Sequence, residues 1–208
     1  MREHNGRAMR IGVMGGTFDP IHYGHLFAAE EARLVMDLDR VLFIPAGTPP
    51  HKSGAEVTPA RRRYDMTLLA VADNPYFEVS DLEILRPGSS YTADTLRELR
   101  QQYPGADFFL IIGTDTMLDL IHWKTPLDIA RLSTIVVIKR TGYDATGNLP
   151  DTIQSTLRTI ETTPLEISST DIRQRVRVGK SVKYLLPPPV AMYIMKNHLY
   201  TNSDGEPI

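Results

Sequence analysis

The chain contains no cysteine among its 208 residues. That absence excludes disulfides, thiolate metal centres and a cysteine nucleophile, and it suits a reducing compartment. Net charge is also scarce: 23 Lys and Arg stand against 25 Asp and Glu, for a formal charge of −2. With no global basic field to draw in nucleic acid, any anion site has to be built locally. No apolar run approaches the roughly 18 residues of a membrane span. The opening MREHNGRAM likewise lacks the apolar region of a secretion signal. The expectation is a cytoplasmic protein without a membrane or nucleic-acid partner.

What is present is ordinary in bulk and specific in detail. Hydrophobic residues at 42% and charged residues at 23% are globular proportions. A chain of 208 residues fills one α/β domain and is short for two. Residues 1–208 are therefore read as a single domain, with 1–9 and 201–208 as flexible tails. Apolar runs at Met9–Met14, Arg40–Pro45, Asp107–Gly113 and Thr134–Ile138 predict buried strands. Phe77–Leu85 reads as one strand with an extension. Helical spacing of Ala28, Ala29, Ala32, Val35 and Met36 predicts a helix after the first strand. Further helices are expected over Pro59–Ala72, Ala93–Tyr103, after Gly113, near Thr152–Thr159, from Ser168 to Gly179 and over Pro189–Tyr200. Strands alternating with helices predict an α/β fold, a Rossmann-like doubly wound parallel sheet with helices on both faces.

The stretch Gly15-Gly16-Thr17-Phe18-Asp19-Pro20-Ile21-His22-Tyr23-Gly24-His25 occupies the turn from the first strand into the first helix. In an open parallel sheet such a turn lies at the carboxyl edge, where free backbone N–H groups of the helix favour an anion. His22 and His25 stand three apart and face one point beyond the helix start, and Gly24 leaves the backbone approachable. Three readings fit a bare H-x-x-H: helix capping or core packing, half of a metal site with no second ligand pair nearby, or phosphate binding. The strand-turn-helix setting with its glycines favours phosphate. Neither a dinucleotide fingerprint nor a Walker A loop has this spacing. Ser168-Ser169-Thr170 with Arg173 forms a second hydroxyl-rich helix start, which by itself is either a plain cap or a phosphate clamp. Two such starts in one domain point to a polyphosphate.

At these two motifs, HxGH at His22–His25 and ISSTxxR at Ile167–Arg173, the chain resembles the HxGH nucleotidyltransferase superfamily. Pro49-Pro50-His51-Lys52, Ser90-Tyr91-Thr92 with Asp94-Thr95-Leu96, Gly113-Thr114-Asp115, Trp123 and Lys139-Arg140 resemble the bacterial nicotinate-nucleotide adenylyltransferase family, over about Met9–Tyr200. The resemblance implies joining of ATP and nicotinate mononucleotide to give nicotinate adenine dinucleotide and pyrophosphate. It implies catalytic roles for His22, His25 and Arg173. Gly15, Thr17, Phe18, Gly113, Asp115, Ser169 and Thr170 would bind ATP with them, and Gly16, Lys52, Thr92, Trp123 and Arg140 would bind the mononucleotide. Mg²⁺ would arrive with ATP rather than in a protein cage, with Asp19 at most an outer partner, and a homo-oligomer stays open. Thr141 departs from the family's usual proline after the arginine. The alternatives are another transfer of the same kind, such as phosphopantetheine adenylylation, and a noncatalytic nucleotide- or RNA-binding module suggested by Arg61-Arg62-Arg63. That run is expected to form a solvated helix face.

Overall fold

The computed structural model describes residues 6–49, 57–139, 149–163 and 165–201. In chain order the elements are β1 (Arg10–Gly16), α1 (Tyr23–Val35), β2 (Arg40–Pro45), α2 (Ala60–Val71), β3 (Phe77–Val79), α3 (Leu82–Leu85) and α4 (Thr92–Gln102). There follow β4 (Asp107–Gly113), α5 (Thr114–Asp119), a 3-10 turn (Leu120–His122), α6 (Pro126–Leu132) and β5 (Thr134–Lys139). The last are α7 (Asp151–Gln154), β6 (Leu157–Glu161), α8 (Ser169–Arg177) and α9 (Pro188–Lys196).

The strands make one six-stranded sheet in the order β3-β2-β1-β4-β5-β6. Every neighbouring pair is parallel. The doubly wound class expected from the sequence is the observed one. Strand period two sorts the side chains into separate cores on the two faces. Val41, Phe43, Phe109, Ile111 and Val136 face α1, α2, α8 and α9, where Ala32, Met66, Ile172 and Val190 close the packing. Leu42, Ile44, Leu110, Ile135 and Val137 face the other way, onto Leu96, Leu99, Met117, Ile129 and Ile153 of α4 to α7. Gly12 suits this packing, because a Cβ there would lie 2.9 Å from the Leu38 side chain and 3.1 Å from that of Ile111, which would have to shift.

The chain order reverses between β1 and β4, and the register shows how that point opens. Pairing between these strands ends at Val13 with Leu110. Both strands nevertheless run on, to Gly16 and Gly113. The last three residues of each therefore part, which leaves a crevice at the carboxyl edge of the sheet, where doubly wound folds bind ligands.

Several expectations are corrected. Phe77–Leu85 is not one strand: β3 stops at Val79 and α3 follows as a single helical turn. The helix expected near Thr152–Thr159 is the short α7 followed by the edge strand β6, in which Ile160 alone is buried. Val35, placed on the apolar face of α1, is 60% exposed. The Arg61–Arg63 run is not wholly solvated, since Arg63 is 1% exposed. Arg7, within the stretch read as a tail, forks onto Asp39 at 2.7 and 3.2 Å.

Candidate active site

A cavity of about 560 Å³ fills the crevice. Met14, Gly15 and Gly16 line one side and Ile111, Ile112 and Gly113 the other. Cβ atoms at Gly15 and Gly113 would meet no protein atom within 4 Å, so any larger residue would spend its side chain on ligand space.

His22 is the extended N-cap of α1 and is 6% exposed. Its backbone N–H donates to His25 Nδ1 at 3.3 Å, which leaves Nε2 as the donor of the neutral His25 ring. The two imidazoles stack with centroids 3.8 Å apart, and Phe18 meets His25 edge-on at 5.1 Å. Burial, and secondarily the charge of His22, hold the His25 pKa well below the ordinary histidine value. The ring is thus neutral near pH 7 and lacks the counter-charge that an anion at this helix start would supply. Gly24 is tied to this stacking, because a Cβ there would stand 3.1 Å from the His22 ring.

The start of α8 is fastened to the same loop. Ser168 caps α8 by accepting from the Asp171 N–H at 3.1 Å, Ser169 Oγ donates to the Pro20 carbonyl at 2.9 Å, and Arg173 donates to the Asp19 carbonyl at 2.8 Å. Asp19 itself is 3% exposed, with Oδ1 accepting from Tyr200 at 2.7 Å and Oδ2 from the Thr58 N–H at 3.2 Å. Each carboxylate oxygen of Asp19 thus already accepts one hydrogen bond from the protein. Among the described residues no group of three or more acidic, histidine or cysteine side chains could hold a metal.

Across the cavity lie Thr92 at the start of α4, the half-buried Trp123, Ala46, Glu83 and Ser90. Ser90 clasps the end of β2: its Oγ accepts from the Gly47 N–H and its N–H donates to the Thr48 carbonyl, both at 3.0 Å. Thr95 donates to Glu83 at 2.5 Å, and Arg86 joins Thr95 to Glu98, each at 2.7 Å. Burial pushes the Glu83 carboxyl up.

A cytidylyltransferase-like family model matches residues 13–175 of this arrangement. The chain belongs to that family. Relatives agree over nearly the whole length. A probable nicotinate-nucleotide adenylyltransferase of Thermus thermophilus is 48% identical over 193 residues, covering 92% of this chain and all (100%) of the relative. A probable nicotinate-nucleotide adenylyltransferase of Desulfitobacterium hafniense is 46% identical, covering 94% of this chain and 98% of the relative. The solved structure of Plasmodium falciparum nicotinic acid mononucleotide adenylyltransferase complexed with NaAD superimposes with a TM-score of 0.76 at 19% identity, over 92% of this chain and 97% of that one. It shares the fold.

Of the site residues expected from the sequence, Gly15, Gly16, Thr17, His22, His25, Thr92, Gly113, Asp115, Trp123 and Ser169 meet around one cavity. Phe18, Thr170 and Arg173 do not line it: Phe18 supports the His25 ring, and Arg173 donates to the Asp19 carbonyl and the Thr170 hydroxyl. Lys52 and Arg140 lie outside the described residues. Sequence reasoning missed Glu83, Ser90 and Arg63. The first was hidden in a stretch read as strand, and the second was quoted only as a neighbour of Thr92.

Proposed function

We propose that the protein transfers the adenylyl group of ATP to nicotinate mononucleotide, releasing pyrophosphate. The carrying observation is the single cavity that joins the His22–His25 helix start to Thr92 and Trp123 across the parted ends of β1 and β4. The names of the relatives support the same reaction. An oxygen of the mononucleotide phosphate forms a bond to the α-phosphorus of ATP as the bond to the bridging oxygen breaks, and that electron pair leaves on pyrophosphate. The attacking phosphate is already anionic near neutral pH, so no side chain has to remove a proton from it.

The protein's task is alignment and charge management. The N-terminus of α1 with the His22–His25 pair takes the triphosphate, and His25 Nε2 donates toward charge that grows on the leaving group. Ser169 and Arg173 hold the loop of Asp19 and Pro20 against the start of α8. Trp123 offers a stacking face to the pyridine ring. A divalent cation such as Mg²⁺ would be carried by the nucleotide phosphates and would neutralise charge between them. Asp115, exposed in the first turn of α5 at the cavity edge, would border the ribose and adenine of ATP.

The test is pyrophosphate release from ATP with nicotinate mononucleotide, nicotinamide mononucleotide and phosphopantetheine in parallel. The acid mononucleotide should be the best acceptor. Removal of one preorganised donor, His25→Ala, should lower turnover about 10²–10³-fold. Turnover of phosphopantetheine alone would replace the acceptor while keeping the chemistry.

A further inference from the structure

Arg63, in the first turns of α2, is the largest of the fully buried side chains. Among the described residues its guanidinium donates only to backbone carbonyls: Nε to Thr58 at 2.7 Å, one terminal nitrogen to Thr17 at 2.7 Å, the other to Ala46 at 2.5 Å and Gly47 at 3.1 Å. Among the described residues no direct ion pair balances it, and Asp19 is the foremost negative charge acting on it. A buried guanidinium without a direct partner is costly, and it is retained here with every nitrogen engaged.

The segments it joins explain the placement. Thr17 belongs to the loop that follows β1 and leads to the His22–His25 pair, and Ala46 directly follows β2 on the acceptor side; both line the cavity. A direct backbone bond from the Ala46 N–H to the Gly16 carbonyl, 2.9 Å long, runs beside the guanidinium bridge. Gly47 is held on its far side by Ser90. Planarity gives the guanidinium a fixed angle between its donors, so it sets both the separation and the tilt of the two loops.

Resting on the adenylyl-transfer reading, we propose that Arg63 is a positioning residue for the transfer step, locking the triphosphate loop at Thr17 to the acceptor strap Ala46–Gly47. It touches neither substrate, and its effect lies in the line of approach between the acceptor phosphate and the α-phosphorus. Small misalignments of this kind reach kcat, because proximity and orientation carry much of the barrier reduction in such transfers.

The experiment compares wild type, Arg63→Lys and Arg63→Ala in kcat and in KM for each substrate, with circular dichroism reporting the folded fraction. Lysine keeps the charge and loses the fork. Arg63→Lys should fold, lose about 10²-fold in kcat and hold its ATP KM within about threefold. Millimolar guanidinium should restore Arg63→Ala by about tenfold or more, whereas methylammonium should not. Wild-type kcat in Arg63→Lys overturns the proposal, as does a loss that merely follows the unfolded fraction without guanidinium rescue. Hydrogen exchange gives a readout independent of the acceptor and usable if Arg63→Ala does not fold. The Ala46 and Gly47 amides should exchange about tenfold faster in Arg63→Lys while those of Ile11–Val13 stay unchanged. Unchanged exchange at Ala46 and Gly47 refutes positioning, whereas wild-type failure to turn over nicotinate mononucleotide refutes the assigned reaction alone.

Discussion

Replacing His25 by glutamine should flatten the acid side of the protein's stability curve. In the ligand-free fold, burial and then His22 hold this imidazole well below the ordinary value of 6.5. In the unfolded chain the same ring titrates near 6.5. Between the lowered value and 6.5 the unfolded chain carries a proton that the folded protein does not. Stability therefore rises with pH through that window and levels off above it, and is lost as pH falls. With the folded ring neutral throughout, the linkage between pH 6.5 and 5.5 amounts to about 1 kcal/mol. Glutamine keeps an acceptor for the His22 N–H, so the variant isolates titration from capping. Urea unfolding of both proteins at pH 5.5, 6.5 and 7.5 measures the difference. Over the lower interval wild type should lose about 1 kcal/mol more than His25→Gln, and over the upper interval the two proteins should change nearly alike. Parallel losses over both intervals would show that the fold does not hold His25 neutral, and the account of an imidazole waiting for its anion would fail.

Three further substitutions probe other parts of the site. Gly47→Ala places a Cβ 2.1 Å from the Glu83 carbonyl oxygen, so backbone must move; thermal unfolding should show a loss of about 1–3 kcal/mol, and an unchanged Tm would contradict the packing. Tyr200→Phe removes the 2.7 Å donor to the buried Asp19 carboxylate, at about 1–3 kcal/mol in urea unfolding, and a neutral outcome would mean that the hydroxyl is dispensable to Asp19. Trp123→Ala should raise the KM for the mononucleotide by about tenfold or more while the KM for ATP stays near wild type, as steady-state titrations of each substrate would show; an equal rise in both would remove the ring from the acceptor side.

Legibility in the sequence followed the physical origin of each feature. The bounds of β2 and β4 were readable because both strands are buried on two faces and nearly every residue in them is apolar. Strand β6 was not, since an edge position exposes Arg158, Thr159 and Glu161, half-buries Leu157 and leaves no alternation to read. The His22–His25 and Ser168–Arg173 starts could be seen because their chemistry sits within a few consecutive residues. Arg63 shows the opposite case. Three adjacent arginines look solvated, and what buries the third is a set of carbonyls 5, 16, 17 and 46 residues away in the chain. Glu83 and Ser90 likewise acquire meaning only when Gly47 is brought beside them.

The loop that follows β1 is closed by the far end of the chain. Ser169 reaches Pro20 across 149 residues, Arg173 reaches Asp19 across 154, and Tyr200 reaches Asp19 across 181. Contacts of such separation carry a large loop-closure entropy. During synthesis every strand of the sheet is made before α8 and Tyr200, which also pack into the core on the α1 face. The phosphate loop is thus fastened by residues of the last described segments, which synthesis delivers after every strand of the sheet.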